Sequence, residues 1–185
     1  MTVEQTKLAD CIIIHDTVFG DNRGYFFESF NKKTFFDKTG MDVNFIQDNQ
    51  SRSSKGVLRG LHFQHGEFAQ AKLVRVLEGK VLDIAVDMRR NSPTFKQYVA
   101  VELSAESRTQ FFVPRGFAHG FVVLSDTATF FYKCDNLYNK ASEGGVIYSD
   151  PELDINWGLP ADQLLISEKD QILPKMSEMI DSLQF

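Results

Sequence analysis

Residues 71–87 read AKLVRVLEGKVLDIAVD, two apolar runs joined by Glu78-Gly79. Glu78-Gly79 is a tight-turn signal, and runs this short, bounded by a turn, suit strands better than helices. In the second run Leu82, Ile84 and Val86 alternate with Asp83 and Asp87, so each residue type takes its own face. In the first run Lys72 shares a face with Val74 and Val76, while Arg75 shares the other with Leu73 and Leu77. The stretch therefore reads as two strands across a tight turn, with polar groups on otherwise apolar faces.

Outward from these two strands the pattern repeats. Short β-like runs cover residues 11–14, 25–30, 43–47, 57–64, 98–103, 109–113, 120–124 and 128–132. The run at 25–30 is entered by the turn Gly20-Asp21-Asn22-Arg23-Gly24. Many short strands at this spacing predict an all-β sandwich, jelly roll or barrel. A count of 17 Phe against one Trp suits it, with aromatics filling the space between sheets. Asn31 can cap a short helix ended by Gly40, and further helix is predicted from Ser167 and over residues 175–183. With 185 residues and no repeat or linker, a single domain over 1–185 is expected.

The net charge of -5 and the absence of a basic block speak against generic nucleic-acid binding. They leave room for an anionic small molecule, which needs only local positive charge. Cys11 and Cys134 form no CxxC or Cys/His cluster, so both are expected as reduced core residues. The polar start MTVEQTKLAD does not read as a signal peptide, no apolar run approaches ~20 residues, and a cytoplasmic location is expected. Without a secretory signal, the Asn49-Gln50-Ser51 sequon is read as chance.

GVLRGLHFQ, residues 56–64, places Arg59 and His62 in an apolar run. Alternation puts His62 and Gln64 on one face and Leu61 and Phe63 on the other, and groups Tyr132 with Phe130 and Ala128. If such faces converge, they line a barrel interior with a few polar groups, the usual form of a ligand cavity. Each residue also has an ordinary structural reading. His62 alone can be a hydrogen-bonded strand residue, Lys72 an exposed one and Tyr132 a core residue. Arg23 can be an exposed turn residue, and Asp170, in Ser167-Glu168-Lys169-Asp170, can simply start a helix. His62, His65 and His119 raise the question of a metal. Residues three apart on a strand face opposite ways, no suitably spaced carboxylate follows, and no metal is expected.

An ordered set of motifs narrows the choice. It comprises VFGDNRG at 18–24, FFES at 26–29, QDNQS at 47–51, GVLRGLHFQ, KLVRV at 72–76, DIAVDMR at 83–89, SPTF at 92–95, VPRGFAHGFVVLS at 113–125, Tyr132-Lys133, Asp150-Pro151 and LISEKD at 165–170. On these the sequence resembles the dTDP-4-dehydrorhamnose 3,5-epimerases, cupin-like jelly rolls, over nearly its whole length. The resemblance implies a dTDP-4-keto-6-deoxy sugar nucleotide as substrate, epimerised at C3 and C5 without a cofactor. It implies His62 as base, Asp170 as its carboxylate partner, Tyr132 as proton donor and Lys72 as stabiliser of the enolate oxygen. Arg23, Phe26, Glu28, Gln47, Asn49, Arg59, His119, Glu143 and Lys169 match substrate-binding positions, and Tyr138 the aromatic that stacks on thymine. It further implies a homodimer in which N-terminal strands lie at the interface and Arg23 and Glu28 reach the partner's site. Lys96, Tyr98 and Tyr148-Ser149-Asp150 depart from the family pattern, and none belongs to the implied catalytic set. The rival readings are a mono-epimerase of a related dTDP-4-keto sugar, a metal-dependent cupin oxygenase, and a non-catalytic sugar-nucleotide binder.

Overall fold

The computed structural model describes residues 1–183; residues 184 and 185, part of the expected domain span, lie outside the described residues. In chain order the strands begin with β1 (Thr2–Gln5), β2 (Ile12–His15), β3 (Phe19–Asp21), β4 (Gly24–Phe26) and β5 (Gln47–Ser54). They continue with β6 (Val57–Gln64), β7 (Lys72–Glu78), β8 (Lys80–Asp87), β9 (Tyr98–Ser104) and β10 (Thr109–Val113). β11 (Phe117–Val123), β12 (Thr127–Cys134), β13 (Glu143–Gly145) and β14 (Leu165–Ile166) complete them. One sheet runs β1-β2-β10-β7-β12-β5 and the other β13-β6-β11-β8-β9, with β14 added beside β6. β3 and β4 form a separate hairpin. This is a cupin-like jelly roll.

Both opening strands and the turn between them form, but the strands do not pair with each other: β7 pairs with β10 and β12 in one sheet, and β8 with β11 and β9 in the other. Gly79 makes the switch at φ +76°, where a β-carbon would stand 2.0 Å from the Thr127 carbonyl oxygen. Between the sheets lies a core of Val74, Val76, Val81, Ala85, Leu103, Phe111, Phe121 and Phe130. On its outer face the second sheet buries Leu58, Leu61, Phe63, Ile84, Val86 and Val122 against Val146, Trp157, Met176 and Met179 of the C-terminal segment. The outer face of the first sheet buries Ile12, Ile14, Leu73 and Phe112 against Phe35 of helix α1 (Lys32–Thr39).

Helix α1 starts and stops where its sequence signals stand: Asn31 accepts from the Thr34 N–H, and Gly40 closes it at φ 74°. The two predicted C-terminal helices are both shorter than expected. α2 (Glu168–Gln171) and α3 (Met176–Met179) are separate, and a 3-10 turn over Ile180–Ser182 follows α3. No helix among the described residues is long and apolar enough to cross a membrane.

Several strand limits move. The strand read at 25–30 stops at Phe26, and that read at 120–124 begins at Phe117. Residues 43–46 carry no strand; instead the polar stretch QDNQSRSS forms β5 along β12. An edge strand exposed on one face and facing a polar interior on the other buries little apolar surface, so hydrophobic alternation could not reveal it.

Strand β6 is irregular in a way that matters. His119 of β11 pairs with His62 and Phe121 pairs with Arg59, so two steps on β11 match three on β6. The extra residue is a bulge at Gly60. Gly60 has φ +136°, and a β-carbon there would stand 2.6 Å from the Gly120 α-carbon. The bulge reverses the side-chain alternation, so Leu58 and Leu61 both face outward while Arg59 and His62 both face the interior. Gly60→Ala is expected to destabilise the fold by about 2–4 kcal/mol through backbone strain and overpacking. Urea denaturation checks this; an unchanged midpoint would show that the close approach is not required.

Candidate active site

The interior face of β6 opens into a cavity of about 900 Å³. Its lining includes Asn49 from β5, Arg59 and His62 from β6, Lys72 from β7, His119 from β11, Tyr132 from β12, and Lys169 and Asp170 from α2. Six consecutive or distant segments thus converge, as the sequence expectation of a polar-lined interior required. Gln47, Tyr138 and Glu143 line an adjoining recess shared with His62, Lys72 and Tyr132.

His62 Nε2 lies 2.7 Å from Asp170 Oδ1. Asp170 is buried and also accepts the Gly60 N–H at 3.3 Å on Oδ2. Burial works to raise its pKa, but the hydrogen bond and charge of His62, the Gly60 N–H and the Ser167 hydroxyl together hold it below the ordinary aspartate value. The helix-start reading of Asp170 also holds, since its backbone N–H donates to Ser167 Oγ at 3.1 Å. One residue therefore closes the first turn of α2 and aims its carboxylate at His62. With the Nε2–H directed at Asp170, Nδ1 of His62 is left to accept a proton.

A second histidine–carboxylate pair lies beside the first. His119 Nε2 is 2.8 Å from Asp83 Oδ1, and both side chains are buried. His119 and His62 are direct partners across the β6–β11 ladder. Burial raises the Asp83 pKa against the opposing pull of His119 and Lys72. The sequence reading placed Asp83 on a strand face without a site role; the signal was an acid in the middle of an apolar strand. Asp87, on the same face, is structural: it accepts from Arg89, Ser92 and Thr94 and holds the turn after β8.

Lys72 Nζ stands 5.9 Å from the Tyr132 ring centroid. Burial pushes its pKa down, while Cys134, Asp83 and Glu143 draw it upward. Burial pushes the Tyr132 phenol above its ordinary value, with Cys134 adding and Arg59 opposing, so the hydroxyl keeps its proton at neutral pH. The floor under these groups is apolar: Phe121 stacks on Phe130 with centroids 4.2 Å apart, and His119 lies 6.3 Å from Phe130.

Polar contacts set the remaining side chains. Arg59 Nε donates to Ser53 Oγ at 3.2 Å, a partner the sequence reading missed. Gln47 donates to Asn49 Oδ1 at 3.1 Å, and Asn49 donates to the Cys134 sulfur at 3.7 Å. Cys134 and Cys11 are both buried and free. At the rim Lys169 Nζ and the Tyr138 hydroxyl donate to Glu143 at 2.6 and 3.1 Å. Burial works to raise the Glu143 pKa, but these bonds outweigh it and hold it down.

Three expected residues do not reach the cavity of their own chain. Arg23 binds Asp21 within the β3–β4 hairpin, Phe26 is 70% exposed, and Glu28 accepts from Asn31. His65 does not join His62, and among the described residues no group of three His, Cys, Asp or Glu is arranged to hold a metal ion.

The model of the family described as dTDP-4-dehydrorhamnose 3,5-epimerase matches residues 5–178. A dTDP-4-dehydrorhamnose 3,5-epimerase of Shigella flexneri is 52% identical over 170 residues, covering 92% of this chain and 93% of its own. The crystal structure of the enzyme of that name from Elizabethkingia anophelis superposes with a TM-score of 0.93 at 57% identity, over 96% of this chain and 97% of its own. The dTDP-6-deoxy-D-glucose-3,5-epimerase of Legionella pneumophila, solved with dTDP-4-keto-L-rhamnose, gives a TM-score of 0.94 at 45% identity, over 100% of this chain and 98% of its own.

The geometry around Asp170 has a consequence for stability. Its folded pKa lies below the ordinary 3.8, so its contribution is complete above that value and is lost as pH falls through the folded pKa. Wild-type protein is expected to lose stability more steeply than Asp170→Asn as pH falls from about 5 to about 3. Urea midpoints across that range check it; parallel slopes for the two proteins would contradict it.

Proposed function

Because the chain belongs to the dTDP-4-dehydrorhamnose 3,5-epimerase family, we propose that residues 1–185 act as one epimerase domain on dTDP-4-dehydro-6-deoxy-D-glucose. The product is dTDP-4-dehydro-β-L-rhamnose. The observation that carries the reading is the meeting of the His62–Asp170 pair, Lys72 and Tyr132 in one cavity.

Both C3 and C5 flank the C4 ketone, which acidifies their protons by enolate formation. His62 Nδ1 removes the proton at one such carbon, and Asp170 stabilises the imidazolium that results. The electron pair passes to the C4 oxygen, where the Lys72 ammonium offsets the negative charge. The Tyr132 hydroxyl returns a proton to the opposite face, the electron pair re-forms the ketone, and the configuration at that carbon is inverted. Solvent then takes the proton from the His62 imidazolium and returns one to the Tyr132 phenolate, so the same sequence of steps can serve the second carbon. Arg59, His119 and Lys169 hold the diphosphate sugar, Gln47, Asn49 and Glu143 complete the polar wall, and Tyr138 supports the thymine. The reaction needs no oxidant, reductant or cofactor in its balance. Two buried free cysteines accord with a cytoplasmic setting.

The exposed hairpin supports a homodimer. Arg23, Phe26 and Glu28 project from the segment that carries the exposed rings of Phe19 and Tyr25, and they serve the partner's cavity rather than their own.

In D₂O the wild-type enzyme is expected to place deuterium at both C3 and C5, read by NMR; label at one carbon alone would identify a mono-epimerase. His62→Ala should lower turnover by about 10³-fold or more while dTDP still binds, and substantial remaining turnover would displace His62 as base. A shared site makes a further prediction. Mixing inactive Arg23→Ala and His62→Ala dimers should restore about a quarter of wild-type activity once subunits exchange, because half the dimers then hold one intact site. No recovery, in a mixture shown to contain heterodimers, would refute the sharing.

A further inference from the structure

Gln64 sits two residues beyond His62 on β6 and is 5% exposed, yet no role in the reaction follows from its position alone. Its carboxamide is fully engaged. Nε2 donates to the Phe68 carbonyl at 3.0 Å and to the Leu137 carbonyl at 3.2 Å, and Oε1 accepts the Asn139 N–H at 2.6 Å. Two of these contacts grip the backbone on either side of Tyr138. The Tyr138 N–H itself donates to Gln47 Oε1 at 3.2 Å. The Tyr138 ring is 54% exposed, and its hydroxyl is tied to Glu143, the residue paired with Gln64 across β13 and β6. An exposed ring has little packing to orient it, so its place over the cavity mouth depends on how its backbone is held.

We infer that Gln64 is a positioning residue that links the strand of the catalytic base to the nucleobase platform, fixing residues 137–139 so that Tyr138 meets the base of a nucleoside diphosphate. The inference rests on the reading of Tyr138 as that platform. It separates binding from chemistry along one strand: His62 serves the sugar ring, and Gln64, on the same strand, serves the nucleoside through the backbone of the 137–139 segment. A glutamine is suited to the task because one side chain must donate and accept at once in a buried place. Glutamate keeps the acceptor for Asn139 but presents an oxygen to the Phe68 and Leu137 carbonyls.

Gln64→Glu is therefore expected to weaken dTDP binding by about tenfold and to raise KM similarly, with kcat within about threefold of wild type. Inorganic pyrophosphate, which carries no nucleobase, should inhibit wild type and variant alike. Gln64→Met removes all three bonds without adding a charge and repeats the test if the glutamate variant does not fold. Tyr138→Ala is measured beside them. Unchanged dTDP affinity in Tyr138→Ala overturns the platform reading and the inference with it. A large effect of Tyr138→Ala with none from either Gln64 variant overturns the inference alone. Equal weakening of dTDP and pyrophosphate, or loss of kcat at constant KM, also overturns it, since a general scaffold role or a role in the chemistry would produce those results.

Discussion

Gly60 and Gly120 lie so close that neither can carry a side chain: a β-carbon on Gly120 would stand 2.7 Å from the Arg59 carbonyl oxygen, and one on Gly60 2.6 Å from the Gly120 α-carbon. The site depends on this contact in two ways. It accommodates the extra residue that turns Arg59 and His62 to the same face, against the ordinary alternation of a strand. It also leaves the Gly60 N–H pointing at Asp170, so the bulge that aims the histidine supplies a hydrogen bond to the carboxylate that orients it. A regular β6 would send one of the two cavity-lining residues into the apolar layer beneath the sheet.

A jelly roll with a polar interior must hold charge where apolar packing would be more stabilising. Here each buried ion is given a partner or an opening to solvent. The Asp170 carboxylate has His62 and the Gly60 N–H; Asp83 has His119 with Lys72 nearby. Asp83 Oδ2 makes no hydrogen bond among the described residues, an arrangement that costs stability and is typical of places kept for electrostatics rather than packing. The Phe121–Phe130 stack beneath His119 closes the cavity floor to water and strengthens every charge interaction above it.

The C-terminal segment connects the two kinds of requirement. Asp150 accepts the N–H groups of Glu152 and Leu153 on one oxygen and that of Met176 on the other. These bonds pin the chain against the outer face of the second sheet, where Trp157, Met176 and Met179 are buried. The intervening residues reach back through β14 beside β6, and α2 follows directly, bringing Asp170 and Lys169 to the cavity. Outer packing and inner chemistry are thus joined through a single strand pairing.

Much of this was legible in the sequence. The two strands and the turn at 71–87, the strand at 57–64 and helix α1 with its Asn31 and Gly40 caps follow from local signals, because turns, caps and apolar alternation are properties of neighbouring residues. Family motifs extended the reading to residues such as His62, Tyr132 and Asp170, which no periodicity could have joined across 108 positions. Tertiary structure decided the rest. Strand β5 was hidden because its inward residues, Gln47, Asn49, Ser51 and Ser53, are polar on both counts, facing a polar cavity instead of a core. The common direction of Arg59 and His62 was hidden because a bulge is set by a second strand, here Gly120 of β11. Local sequence determines which segments extend, turn and cap; long-range contact determines which face each polar residue finally shows, because only a packed partner can make an irregular backbone the favourable one.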